Sequence, residues 1–196
     1  MSESATPAPE SGGYRRRDGV LEWDDYFMAI AFLSAQRSKD PVTQVGACIV
    51  NEDKRIVGTG YNGMPNRCPD EKLPWGKGDK DVLKNKKLYV CHAELNAVLN
   101  KNSTDVKNCT IYVSLFPCNE CAKVIIQSGI KEIKYYSDKY KDRSDVIASK
   151  SMLDMAEVRY SQCRPTLDTI EIDFPGIEKM SEGAYNESPG DTQTTS

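Results

Sequence analysis

His92 is the only histidine of the chain, so any step that needs an imidazole falls to it. Glu94 stands two residues beyond it, and further on comes the run Pro117-Cys118-Asn119-Glu120-Cys121. Cys118 and Cys121 are three apart, which puts both thiols on one face of a helix, where they can chelate a single ion. A helix start at that point supplies backbone N–H groups and a positive dipole end, both of which favour thiolates. Pro117 suits such a start. Taken alone, a Cys-x-x-Cys after a strand also fits a redox pair. Two thiolates and the His92 imidazole would give three ligands with the fourth position open, the pattern of a catalytic zinc rather than a structural one. Such a zinc lowers the pKa of a water toward about 7. Glu94 points about 200° away from His92 around a helix and is not read as a ligand. Near a helix start it can reach over the open face and move a proton between water and a substrate.

These residues need elements to hold them. Trp23, Tyr26, Phe27, Ile30 and Leu33 fall at helical spacing and predict a first helix ending near Asp40-Pro41. Val45–Asn51 and Arg55–Tyr61 predict a hairpin around Glu52-Asp53-Lys54. Residues 62–90 form a long loop, and loops of that length usually have a role. Asn62-Gly63 within it suggests a tight turn. A helix from about His92 to Asn100, a strand at Thr110–Leu115, a helix from Cys118 to Gln127 and a strand at Glu132–Tyr136 follow. The series ends with a helix over Ser144–Ala156 and strands at Val158–Ser161 and Thr169–Phe174. A hairpin followed by alternating helices and strands implies an α/β fold, a mixed sheet with helices on its faces.

Composition narrows the class. Lys and Arg number 26 against 29 Asp and Glu, a net charge of −3, so no global basic charge is available to hold a nucleic acid backbone. The longest apolar run, Tyr26 to Leu33, is eight residues, too short to span a membrane. The first residues carry no apolar h-region, so no secretory signal is expected. Seven cysteines then argue for a reducing, cytoplasmic setting, with thiols serving as ligands or small core residues. Apolar residues are sparse in 1–19 and 175–196, which read as solvated tails around a domain at 20–174.

The order H-x-E followed by P-C-x-x-C is the signature of zinc deaminases of nucleobases. Beyond it, the chain resembles the deoxycytidylate (dCMP) deaminases of the cytidine deaminase-like superfamily over roughly residues 21–174. The resemblance is carried by Trp23-Asp24-Asp25-Tyr26-Phe27-Met28, Ala35-Gln36-Arg37-Ser38-Lys39-Asp40-Pro41, Gln44-Val45-Gly46-Ala47 and Gly60-Tyr61-Asn62-Gly63-Met64-Pro65. Cys91-His92-Ala93-Glu94-Leu95-Asn96-Ala97, Phe116-Pro117-Cys118-Asn119-Glu120-Cys121-Ala122-Lys123 and Ser137-Asp138-Lys139-Tyr140 complete it. It implies a three-layer α/β/α domain with a five-stranded mixed sheet. It also implies zinc-dependent conversion of dCMP to dUMP and ammonia, supplying dUMP for thymidylate synthesis, by a homo-hexamer that dCTP activates together with Mg²⁺ and dTTP inhibits.

By the same resemblance His92, Cys118 and Cys121 match the zinc ligands and Glu94 the proton shuttle. Ala93 would meet the pyrimidine through its backbone, and Asn62 the sugar. Arg37, Ser38 and Lys39, with Tyr140, would hold the 5′-phosphate, and Tyr61, Asn62 and Gly63 would lie at the effector site between subunits. A monophosphate carries nearly two charges and suits Arg and hydroxyl donors, which the 37–39 run supplies. Some members of the family hold an extra structural zinc in the insertion; toward such a site this segment offers Cys68 but no histidine. Two other functions share parts of the pattern: a deaminase of tRNA or single-stranded DNA, and a non-enzymatic zinc module, which would not need Glu94.

Overall fold

The computed structural model describes residues 17–78 and 80–178. The chain divides into two compact units, residues 1–165 and 166–196. In the first, α1 (Trp23–Ala35) precedes β1 (Gly46–Val50) and β2 (Ile56–Tyr61). The insertion follows, with two single 3₁₀ turns at Val82–Lys84 and Lys86–Leu88. Then come α2 (Ala93–Leu99), β3 (Thr110–Leu115), α3 (Asn119–Gln127), β4 (Glu132–Ser137), α4 (Ser144–Met155) and β5 (Arg159–Gln162). The strands form one mixed sheet in the order β2-β1-β3-β4-β5. β1 pairs antiparallel with β2 and β3, and the β3–β4 and β4–β5 pairs are parallel.

Alternation along the strands builds two cores. Ala47, Ile49, Ile111, Val113 and Ile133 face α2, α3 and α4 and bury Ala93, Ala97, Ala122, Ile125, Val146 and Leu153. Cys48, Val50 and Tyr112 face the other way, onto Phe27, Met28 and Ala31 of α1. The result is the expected α/β/α sandwich around five strands. What fixes α2 over the sheet is the lack of side chains where it touches β2. A Cβ on Gly60 would lie 2.3 Å from the Ala93 carbonyl oxygen and from the Ala97 nitrogen. The helix that begins at Ala93 therefore rests directly on strand backbone, and its first turn cannot shift without opening that contact.

Two sequence expectations fail here. The Trp23, Tyr26, Phe27, Ile30, Leu33 stripe is only in part the face α1 buries: Phe27 is buried and Ile30 packs on the core, but Trp23 is 54% and Leu33 52% exposed, and Met28, Ala31 and Ala35 are buried in their place. Contact distance chooses the face. A Cβ on Gly46 would stand 1.8 Å from the Ala31 carbonyl oxygen, so the small residues of α1 mark where helix and sheet meet, and large side chains overstate the other face. Thr169–Phe174 is not a strand. Its Ile170, Ile172 and Phe174 are all exposed. An alternating pattern defines two faces but does not provide a neighbouring backbone to pair with. The solvated tails read at 1–19 and 175–196 fall mostly outside the described residues.

Candidate active site

α2 and α3 start at the same end of the molecule, and each opens on one of the chemically marked residues. His92 is the N-cap of α2 and Cys118 the N-cap of α3, and neither side chain caps its own helix. Instead they meet. The Nδ1 atom of His92 lies 3.4 Å from Cys118 Sγ and 3.3 Å from Cys121 Sγ, which is buried in the first turn of α3. The three donor atoms all fall within 4.8 Å of one another, and no other such cluster occurs among the described residues. Zinc bonds of about 2.3 Å to sulfur and 2.0–2.1 Å to nitrogen, at tetrahedral angles, separate donors by roughly 3.5 Å. The His/Cys/Cys set fits that ion in spacing and in chemistry.

The electrostatics agree. The hydrogen bond from Cys121, reinforced by His92, brings the Cys118 thiol down to about 4 against the cost of burial. The same bond and burial push Cys121 well above its usual value. His92, hydrogen-bonded to Cys118, rises to about 9. The pull on Cys118 favours its thiolate, the form that binds a cation. Glu94 completes the cluster. It is 4% exposed, lies against Cys121, and its carboxyl is pushed up chiefly by burial. A carboxyl raised in this way holds its proton more tightly than an exposed one, which suits a group that shuttles protons.

The remaining marked residues divide. Ala93 is buried directly behind His92. Asn62 follows β2, and Gly63 pairs with Cys91 in an isolated antiparallel bridge, with N–H to O distances of 3.0 and 2.8 Å in the two directions. This bridge sets Asn62 and Gly63 alongside the His92 segment. It also replaces the expected tight turn: Gly63 does not have a positive φ, and a Cβ there would meet nothing closer than 3.8 Å. The Asn-Gly pair suggests a reversal, but the backbone pairs with Cys91 instead. Tyr61 ends β2, and its carbonyl accepts from Asn96 Nδ2 at 2.8 Å.

The Arg37-Ser38-Lys39 run points three ways. Arg37 is exposed and makes no ion pair among the described residues. Ser38 donates to the Asn62 carbonyl at 2.9 Å. Lys39 pairs with Asp70 of the insertion. Tyr140 packs on the core beyond β4, with the Lys139 and Arg143 cations each 5.1 Å from its ring centre. Sequence reasoning missed Asp40 and Lys86, an ion pair at 2.6 Å between a buried carboxylate and a half-buried lysine. The signal available was weak, an acid beside the 37–39 run and one lysine among many in the insertion.

A buried carboxyl set against a His/Cys/Cys cluster, on this sandwich, is the equipment of a zinc-dependent deaminase. Residues 21–137 match the cytidine and deoxycytidylate deaminase zinc-binding region, and the chain belongs to that family. It is 59% identical over 163 residues to the deoxycytidylate deaminase of Homo sapiens, covering 83% of this chain and 92% of that protein. It is 54% identical over 172 residues to the probable deoxycytidylate deaminase of Drosophila melanogaster, covering 85% and 83%. Among solved structures it resembles the dCMP deaminase of cyanophage S-TIM5 in complex with dCMP and dUMP. The TM-score is 0.55 and the identity 24%, over 70% of this chain and 93% of that one, a likeness of fold.

Proposed function

We propose that the protein is a zinc-dependent dCMP deaminase, converting dCMP and water to dUMP and ammonia. The observation that carries this reading is the buried Glu94 carboxyl held against the His92, Cys118 and Cys121 donors. The identity to curated deoxycytidylate deaminases supports the choice of substrate. His92 Nδ1 and the two thiolates would hold the zinc, which supplies Lewis acidity and makes water nucleophilic at neutral pH. Glu94 takes a proton from the attacking water as the oxygen bonds to C4 of the ring. It passes that proton to the ring nitrogen, then takes the second proton from the new C4 hydroxyl and delivers it to the exocyclic amine, whose bond to C4 breaks as ammonia leaves and the C4 oxygen becomes the carbonyl. The Ala93 backbone would orient the pyrimidine. Arg37, as an exposed cation without an ion pair, is the strongest of the proposed phosphate contacts, ahead of Ser38, Lys39 and Tyr140.

The finer reading covers a cytoplasmic homo-hexamer, activated by dCTP with Mg²⁺ and inhibited by dTTP, with Tyr61, Asn62 and Gly63 near the effector. The bridge from Gly63 to Cys91 supports it by giving a one-residue route from that segment to His92. Among the described residues no helix is long and apolar enough to cross a membrane. Metal removal tests the reading: dialysis against a chelator should abolish dUMP formation, and stoichiometric zinc should restore it. Full activity in protein shown by metal analysis to be zinc-free would overturn it.

A further inference from the structure

The Asp40 carboxylate collects four donor groups although it is 4% exposed. Its Oδ1 accepts from the Val42 and Thr43 backbone N–H groups at 2.8 and 3.2 Å. Lys86, from the second 3₁₀ turn of the insertion, reaches both oxygens at 2.6 and 2.7 Å. The fourth donor is the Asn62 amide nitrogen, at 3.3 Å from Oδ2. The other proton of that nitrogen goes to the Thr43 carbonyl at 3.0 Å, and Asn62 Oδ1 accepts from the Val45 N–H at 2.8 Å.

This wiring permits one orientation of the Asn62 amide. Turned over, its oxygen would face the Asp40 carboxylate and the Thr43 carbonyl, and its NH₂ would face the Val45 N–H. Both donor protons are spent inside the protein, and the only capacity left is the second lone pair of Oδ1. We infer that Asp40, held by Lys86, is a positioning residue that locks Asn62 as a pure hydrogen-bond acceptor for a sugar hydroxyl of the substrate. The inference rests on the reading of Asn62 as the sugar contact in a dCMP deaminase. It gives the insertion a part in catalysis, because Lys86 brings the charge that keeps a buried carboxylate ionised beside Asn62. A deoxynucleoside and its monophosphate present the same sugar hydroxyl. Loss of the lock must therefore weaken both to the same degree.

The test measures KM and kcat for dCMP and for deoxycytidine, with zinc content, in wild type, Asp40→Asn, Lys86→Gln and Lys86→Arg. A neutral amide in place of the Asp40 carboxylate removes the charged member of the three contacts that hold the Asn62 amide, leaving the Thr43 carbonyl and the Val45 N–H to hold it alone. Misplacement of a substrate-positioning group costs up to about a hundredfold, so Asp40→Asn and Lys86→Gln should each raise KM for both substrates by about tenfold or more. Their kcat should stay within about threefold, the zinc content should not change, and the ratio of kcat/KM between the two substrates should hold. Lys86→Arg, which keeps the charge and the donors, should restore KM to near wild type. A role confined to stability would lower the active fraction and kcat and leave KM alone. Should Asp40→Asn fail to fold, Lys86→Gln and Lys86→Arg decide the matter. Unchanged KM in the variants of an active wild type, or a rise for dCMP only, overturns the inference while the deaminase reading stands. A zinc-loaded wild type that turns over neither substrate overturns both.

Discussion

Glu94 and Asp40 are both buried carboxyls, and their neighbours drive them in opposite directions. For Glu94 burial outweighs the nearby His92 charge, and its proton is held more tightly. Replacement by Gln keeps the shape and leaves the three donors intact, so zinc should remain at about one per chain. Turnover of dCMP should fall by about 10²–10⁴-fold, the usual worth of a positioned acid–base group, which metal analysis and dUMP formation on the same preparation would show. For Asp40 burial is also the largest single influence and pushes the carboxyl up. The Lys86 hydrogen bond, the Val42 and Thr43 N–H groups and the Lys86 charge outweigh it and leave the group below its usual value. A carboxyl depressed in the folded state adds stability above its unfolded pKa of about 3.9 and loses it as pH falls through the lower folded value. The gap in melting temperature between wild type and Asp40→Asn should therefore be constant from pH 7 to about 5 and narrow below about 4. Thermal melts across that range would show it. At this scale the donors were legible in the sequence because they are rare residues at fixed offsets. The Asp40–Lys86 pair was not, because it joins residues 46 apart and common charges carry no sign of burial.

At the scale of elements the marked residues work because two helix starts coincide, and that coincidence depends on close packing of α2 on β2. Gly60→Ala places a methyl 2.3 Å from backbone atoms that cannot rotate away. Overpacking of this kind costs about 1–3 kcal/mol, so a lower melting temperature should accompany a fall in activity larger than stability alone explains, since α2 carries both His92 and Glu94. Calorimetry and dCMP kinetics on the variant check this. Strand and helix order from β1 to β5 could be read from periodicity, because each element is short, regular and flanked by turn residues. The buried face of α1 could not, since Gly46 decides it from another element. The strand expected at Thr169–Phe174 fails for a related reason: alternation is local, whereas pairing is supplied from elsewhere.

For the whole molecule the question is which cytosine-bearing substrate reaches the cluster. The chain carries a net charge of −3, which disfavours a polynucleotide. The exposed Arg37 suits a single phosphate group, and the acceptor left on Asn62 suits a free sugar hydroxyl. An internal residue of single-stranded DNA has no such hydroxyl to offer, because its 3′ oxygen is esterified. Whether the site deaminates a free monophosphate is decided in a single competition. Zinc-loaded protein is given dCMP, deoxycytidine, dCTP and a cytosine-containing single-stranded DNA at equal concentration, and products are followed by mass spectrometry together with ammonia. The expected result is ammonia equal to the sum of dUMP and deoxyuridine, with deoxycytidine consumed at least about tenfold more slowly than dCMP, as loss of a charge-assisted phosphate contact worth roughly 1.5–3 kcal/mol requires. Uracil appearing in the DNA as fast as dUMP forms, or dCMP left intact, would contradict it.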